Sequence, residues 1–166
     1  MSASLQCLVV GTDFSDTSDA AIVSALDLAR SLRARVTLVH AYELPMYAFP
    51  DGAMSHAEVL ADLSAALRQA LESEIALHAG RGVPMTSVLM LGTAVEVLNR
   101  VADDVDADLI VVGAHGRSGL ARAILGSTAE QVVRSAKRPV LTVRPAADLT
   151  LREQQSRRRT PQGARV

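Results

Sequence analysis

The stretch that most narrows what this chain can become runs from Leu109 to Arg134. Leu109–Val112 is an unbroken apolar, largely β-branched run, which reads as a strand buried on both faces. It passes straight into a loop punctuated by Gly113, Gly116 and Gly119. Gly126-Ser127 then opens a segment with Ala129, Val132, Val133 and Ala136 at helical spacing. Ser127 and Glu130 stand as the S-x-x-E of a capping box, which predicts that this helix starts at Ser127. A glycine loop between a buried strand and a helix N-terminus is suited to anions. Bare backbone N–H groups and the positive end of the helix dipole converge there, and glycine lets a phosphate come close to the chain. The spacing is neither the Walker loop, which needs G-K-[ST], nor the dinucleotide G-x-G-x-x-G.

The rest of the chain repeats the same alternation. Leu5–Val10 predicts a first buried strand ending in Gly11-Thr12-Asp13. A helix follows with Ala21, Ala25, Leu28, Ala29 and Leu32 on one face and Asp16, Thr17 or Ser18 as its cap. Arg35–Ala41 predicts a second strand, after which Tyr42–Ser55 is irregular and carries Pro45, Pro50 and Gly52. A long helix is predicted from His56 to His78, its stripe of Leu60, Leu63, Leu67, Leu71 and Ile75 serving as core or as partner surface, and Gly80 and Gly82 end it. Thr86–Leu91 is a third strand, and Thr93 with Glu96 caps a helix that turns Val97, Leu98, Val101 and Val105 inward. Pro139–Val143 is the fifth strand.

These elements predict an α/β fold: a single-domain, open five-stranded parallel sheet with helices on both faces. Ligands of such sheets bind beyond the carboxyl ends of the strands, where the strand order switches. The loops at Gly11–Asp13, Ala41–Glu43 and Gly113–Gly126 all fall at that edge. The domain is expected over residues 1–145. Beyond it, residues 146–166 mix five arginines (Arg152, Arg157, Arg158, Arg159, Arg165) with polar residues and lack apolar periodicity, which reads as a disordered tail.

Composition excludes several functions. A net charge of −1 carries no signature for nucleic acid or membrane, and 2% aromatic residues leave little for base stacking. The single cysteine, Cys7, lies in an apolar strand, so an internal disulfide or a CxxC zinc site cannot be built. With no signal-peptide pattern and no run of membrane-spanning length, a cytoplasmic location is the default expectation.

The pattern Gly113-x-x-Gly116-(9)-Gly126-Ser127 resembles the nucleotide-binding signature of the universal stress protein family, ATP-binding branch. G-T-D-F-S-D-T-S near the start looks like that family's first-strand motif, and R-P-V-L-T-V-R-P resembles its closing strand, so the likeness covers roughly residues 5–145. The resemblance implies an ATP-binding stress-response regulator, with ATP carried together with Mg2+. It also implies a homodimer paired through the last strand, residues 139–143. Carried over by motif, Gly11, Thr12 and Asp13 would border the nucleotide, with Asp13 at the ribose or base. Ala41 would meet the adenine through its backbone, Gly113 would pack by the ribose, and Gly116, Gly126, Ser127 and Thr128 would donate to phosphates. Gly11 departs from the proline or valine of many members, which implies a looser pocket wall.

Each residue also has a plainer reading. Asp13 alone reads as a cap or turn residue; opposite the glycine loop it reads as a ligand contact. Arg117 is retained for the phosphates, whereas Arg122 is set aside because loop arginines are usually solvated. His115 lacks a second His or Cys at ligand spacing and reads as a loop residue, and His40 as a hydrogen-bonded core residue. No Ser/His/Asp constellation is readable, so no catalytic residue is assigned, and slow hydrolysis or autophosphorylation is left open. An adenylating pyrophosphatase would need S-G-G-x-D-S after the first strand, where G-T-D-F-S-D stands instead. A phosphoacceptor domain would need an aspartate ending the third strand, which reads L-M-L-G, and a lysine after the fifth strand, whereas Lys137 precedes it. The remaining alternative is a nucleotide-free dimerisation module on the same fold.

Overall fold

The computed structural model describes residues 5–43, 56–115 and 125–145. Its strands are β1 (Cys7–Gly11), β2 (Arg35–Tyr42), β3 (Met85–Leu91), β4 (Leu109–Gly113) and β5 (Val140–Val143). They form one sheet in the order β3-β2-β1-β4-β5, with every pairing parallel. The helices are α1 (Asp16–Leu32), α2 (His56–His78), α3 (Ala94–Asp104) and α4 (Ser127–Ser135), with a single 3-10 turn at Ala79–Arg81 closed by Gly82 in the left-handed region.

The inner strands β1 and β4 are apolar because both of their faces are covered. Leu8, Val10, Val36, Leu38 and Val111 pack with Ala21, Ile22, Ala25 and Leu26 of α1 and Leu71 of α2. Residues of opposite parity, Cys7, Val9, Val39, Ile110 and Val112, pack with Val97, Leu98 and Val101 of α3 and Ala129 and Val132 of α4. Period-2 alternation therefore sorts side chains between two cores rather than between core and water. β1 and β4 are neighbours although far apart in sequence, which places the switch in strand order between Gly11 and Gly113.

Asp108 locks the entry of β4 to that of β1. Its Oδ2 accepts the Gln6 N–H at 2.7 Å and the Cys7 N–H at 3.0 Å, while its own N–H donates to the Cys7 carbonyl at 2.8 Å. These backbone donors, Gln6 first, hold the carboxyl below the ordinary aspartate range.

Two local expectations, both on α1, are corrected. α1 is capped by Ser15, not by Asp16, Thr17 or Ser18. Ser15 and Ser18 form a reciprocal box, and Ser18 serves as its third residue. The buried face of α1 includes Ile22 and Leu26, whereas Leu32 is exposed. In α2, Leu71 is fully buried and Ile75 packs on the same core, but Leu60, Leu63 and Leu67 are only half-buried. The region expected to be a tail, 146–166, and the irregular residues 44–55 lie outside the described residues.

Candidate functional site

A cleft of about 390 Å³ opens at the carboxyl ends of the strands, over the switch point. β1 contributes Gly11, Thr12 and Asp13, and β2 contributes Val39, His40 and Ala41. β4 brings Val112, Gly113 and His115, α3 brings Ala94 and Leu98, and α4 brings Gly126 through Ala129. A second hollow of about 450 Å³ shares Ala41, Ala94 and Thr128 with it.

The β1 loop is shaped by its own polar groups. Phe14 takes a left-handed φ of 60°, which turns the chain sharply into α1. The Thr12 hydroxyl accepts the Phe14 N–H at 3.0 Å and lies 3.1 Å from the Ser18 hydroxyl. Asp13 Oδ1 accepts both the Ser15 N–H at 3.1 Å and the Ser15 hydroxyl at 2.5 Å. The loop is tied to β2 on both sides of Thr12: its N–H donates to the Val39 carbonyl at 2.9 Å, and its carbonyl lies 2.8 Å from His40 Nδ1. A carbonyl only accepts, so Nδ1 carries the proton there.

Glycine is required at the β4 end by close approach. A Cβ on Gly113 would fall 2.8 Å from Thr17 Cγ2 and 3.0 Å from the Thr17 carbonyl oxygen. At Gly11 the neighbouring space is filled rather than loose, since a Cβ there would lie 3.2 Å from Leu98 Cδ1.

The ends of the glycine loop are joined at the base. Gly126 N–H donates to the Ala114 carbonyl at 2.7 Å, and Ala114 N–H donates to the Val143 carbonyl of β5 at 2.7 Å. This bond also shifts the helix cap. Gly126, with extended φ −60° and ψ 151°, is the N-cap of α4 and has no side chain with which to cap the helix. The predicted Ser127–Glu130 capping box is therefore not formed, although the helix does begin at Ser127. With Gly126 as cap, the third helical position is Ala129, and Glu130 instead pairs with Arg134 at 2.9 Å. The first-turn amides of α4, which have no intrahelical acceptor, thus lie at the cleft lined by Ser127, Thr128 and Ala129, with no hydroxyl at the N-cap itself.

Of the residues singled out in the sequence, Gly11, Thr12, Asp13, Ala41, Gly113, Gly126, Ser127 and Thr128 come together around this one cleft. Gly116 and Arg117, like Arg122, lie outside the described residues. Ser18, His40, Ala94 and Leu98 also line it and were not foreseen there. His40 is buried and hydrogen-bonded as expected, yet its position at the strand end faces it to the site as well. Sequence position after an apolar strand was the available signal for His40; for Leu98 there was none, because its helical spacing marks core equally well.

Strand order and a cleft over the switch point define an open, doubly wound α/β domain. The universal stress protein family model matches residues 6–144, and the chain belongs to that family. A universal stress protein of Methanocaldococcus jannaschii is 31% identical over 139 residues, covering 82% of this chain and 81% of that protein. One of Mycobacterium tuberculosis is 32% identical over 138 residues, and there the chain spans only 45% of the relative's length. Among solved structures, a universal stress protein in complex with cAMP is 33% identical, with a TM-score of 0.60 over 86% of this chain and 98% of that one. One from Archaeoglobus fulgidus in complex with dAMP shares the fold at 22% identity and a TM-score of 0.58, over 83% and 96% of the two chains. Among the described residues, no helix is long and apolar enough to cross a membrane.

Proposed function

We propose that the cleft binds ATP, and that occupancy modulates a homodimer or partner contact made by the last strand. The observation that carries this reading is the uncapped α4 terminus facing the ends of β1 and β4 across one cleft. Ser127, Thr128 and the glycine loop take the phosphates, with Gly116 and Arg117 as the loop's own donors. Asp13 borders the ribose or the base, Gly113 packs by the ribose, and Ala41 meets the adenine. The cAMP and dAMP held by the two family members above support an adenine nucleotide as the ligand class.

Mg2+ would enter with the phosphates. Asp13 is the one carboxylate among the described residues lining the main cleft, and its Oδ1 already accepts from Ser15. The ion would take most of its ligands from phosphate oxygens and water, which suits its octahedral, strongly hydrated chemistry. The role of the chain is binding and reporting, in the cytoplasm, rather than turnover.

Calorimetric titration of the full chain with ATP, with and without Mg2+, tests the reading. Saturable binding at one site per chain is expected, and an absence of heat and of thermal stabilisation would leave a nucleotide-free dimerisation module. Phosphate release over hours separates binding from slow hydrolysis.

A further inference from the structure

Away from the cleft, the last turn of α2 meets the first turn of α1 through three metal-ligating side chains. Glu74 and His78 are one turn apart on α2, the i, i+4 spacing with which a helix presents two ligands on one face. Asp19 of α1 completes the group, and the three ligand atoms all lie within 4.8 Å of one another. His78 Nε2 is 3.3 Å from Glu74 Oε1 and 3.5 Å from Asp19 Oδ1. A charge-assisted N–H···O bond would close to about 2.7–2.9 Å, so neither separation is that of a tight ion pair. Both instead match the edge of a tetrahedron around an ion whose N and O ligands stand at about 2.0–2.2 Å, an edge of about 3.3–3.6 Å.

Burial divides the work among the three. The His78 side chain is only 6% exposed, so its ring is held in place, whereas Asp19 is 55% exposed and Glu74 21% exposed. An ion can therefore enter from solvent past Asp19 and keep a water as its fourth ligand. Imidazole with two carboxylates suits a borderline divalent cation such as Zn2+ better than a hard ion that prefers oxygen alone.

We infer that Asp19, Glu74 and His78 form a Zn2+-type site that staples α2 to α1. Asp19 directly follows Ser18, whose hydroxyl lies against Thr12 in the wall of the cleft, so the staple would hold the helix that shapes the β1 loop. The inference does not rest on the nucleotide reading.

The test is titration of the chelator-stripped, nucleotide-free full chain with Zn2+ by calorimetry, alongside thermal melts. Wild type is expected to take up one equivalent and to melt higher with Zn2+. Asp19→Asn and Glu74→Gln should each weaken binding by more than about a hundredfold, beyond what outer-shell changes cost. Both positions are solvent-accessible, so these variants keep the fold if His78→Gln does not. ATP titration of the same variants should match wild type, which separates this site from the cleft. Wild type without Zn2+ uptake, or variants that bind Zn2+ as wild type does, would overturn the inference.

Discussion

His40 Nδ1 donates to the carbonyl of Thr12 at 2.8 Å, binding the carboxyl end of β2 to the loop that follows β1. The ring also lies against Phe14, with centroids 4.5 Å apart and planes inclined by 43°. One buried side chain thus fixes the turn whose neighbours, Thr12 and Asp13, face the cleft. Replacing it with leucine keeps the bulk but leaves the carbonyl without its partner, a loss of about 1–3 kcal/mol. His40→Leu should lower the urea midpoint by a corresponding amount and weaken ATP binding, whereas Leu77→Ala, at an exposed position on α2, should alter neither.

Thr128→Glu separates electrostatics from folding. Thr128 is exposed in the first turn of α4, where a carboxylate favours the helix dipole. A phosphate chain in the cleft would meet that carboxylate at contact range, a repulsion of about 1–4 kcal/mol. The variant should melt no lower than wild type and bind ATP at least about fivefold more weakly by calorimetry. Unchanged affinity would move the phosphates away from α4.

Gly113→Ala should be destabilising because its Cβ would press on Thr17 backbone, which cannot rotate away as a side-chain tip would. A cost of about 1–3 kcal/mol is expected from overpacking, read from denaturant midpoints. The same change at Gly11 meets side-chain methyls of Leu98 at 3.2 Å rather than backbone, and should cost less.

Acid should unfasten the β1–β4 entry. The Asp108 carboxyl is lowered chiefly by the Gln6 N–H and then by that of Cys7, so it binds protons less readily folded than unfolded. Its contribution to stability is complete above the unfolded aspartate value of about 3.9 and is lost as pH falls through the lower, folded one. Wild-type Tm should therefore drop more steeply than that of Asp108→Asn below about pH 4, while the variant is the less stable at neutral pH. Parallel curves would remove Asp108 from the account.

The proposed dimer makes its own demand. β5 is an edge strand carrying the exposed Leu141, and Val133 of α4 is exposed as well. Leu141→Lys should place a charge in a paired edge and shift the chain to monomer in light scattering, with ATP affinity retained. A wild-type monomer at all concentrations would exclude pairing through residues 139–143.

What the sequence disclosed follows from how local each cause is. Leu109–Val112 and Leu5–Val10 were readable as doubly covered strands because burial on both faces removes every polar position from a short run. The meeting of Thr12, Ala41 and Gly126 around one cleft was readable because loops after parallel strands share one edge. The capping of α4 was not, because it is settled by the bond from Gly126 N–H to Ala114, a contact across the loop rather than within the helix. The face of α1 was misjudged for a similar reason: Ala21, Ala25 and Ala29 mark a stripe that Leu32 continues and Leu26 flanks, and only packing against the sheet buries Leu26 while Leu32, the last helical residue, stays exposed. Asp19 and His78 sit on different helices, and nothing in either segment alone shows that they meet.

Ala114 stands with its N–H on Val143 and its carbonyl on Gly126. The outermost ribbon of the sheet and the mouth of the glycine loop therefore hang from opposite sides of a single residue. Under the proposed function, a ligand that drew on Gly126 would stand two hydrogen bonds from β5, by a route that crosses neither hydrophobic layer.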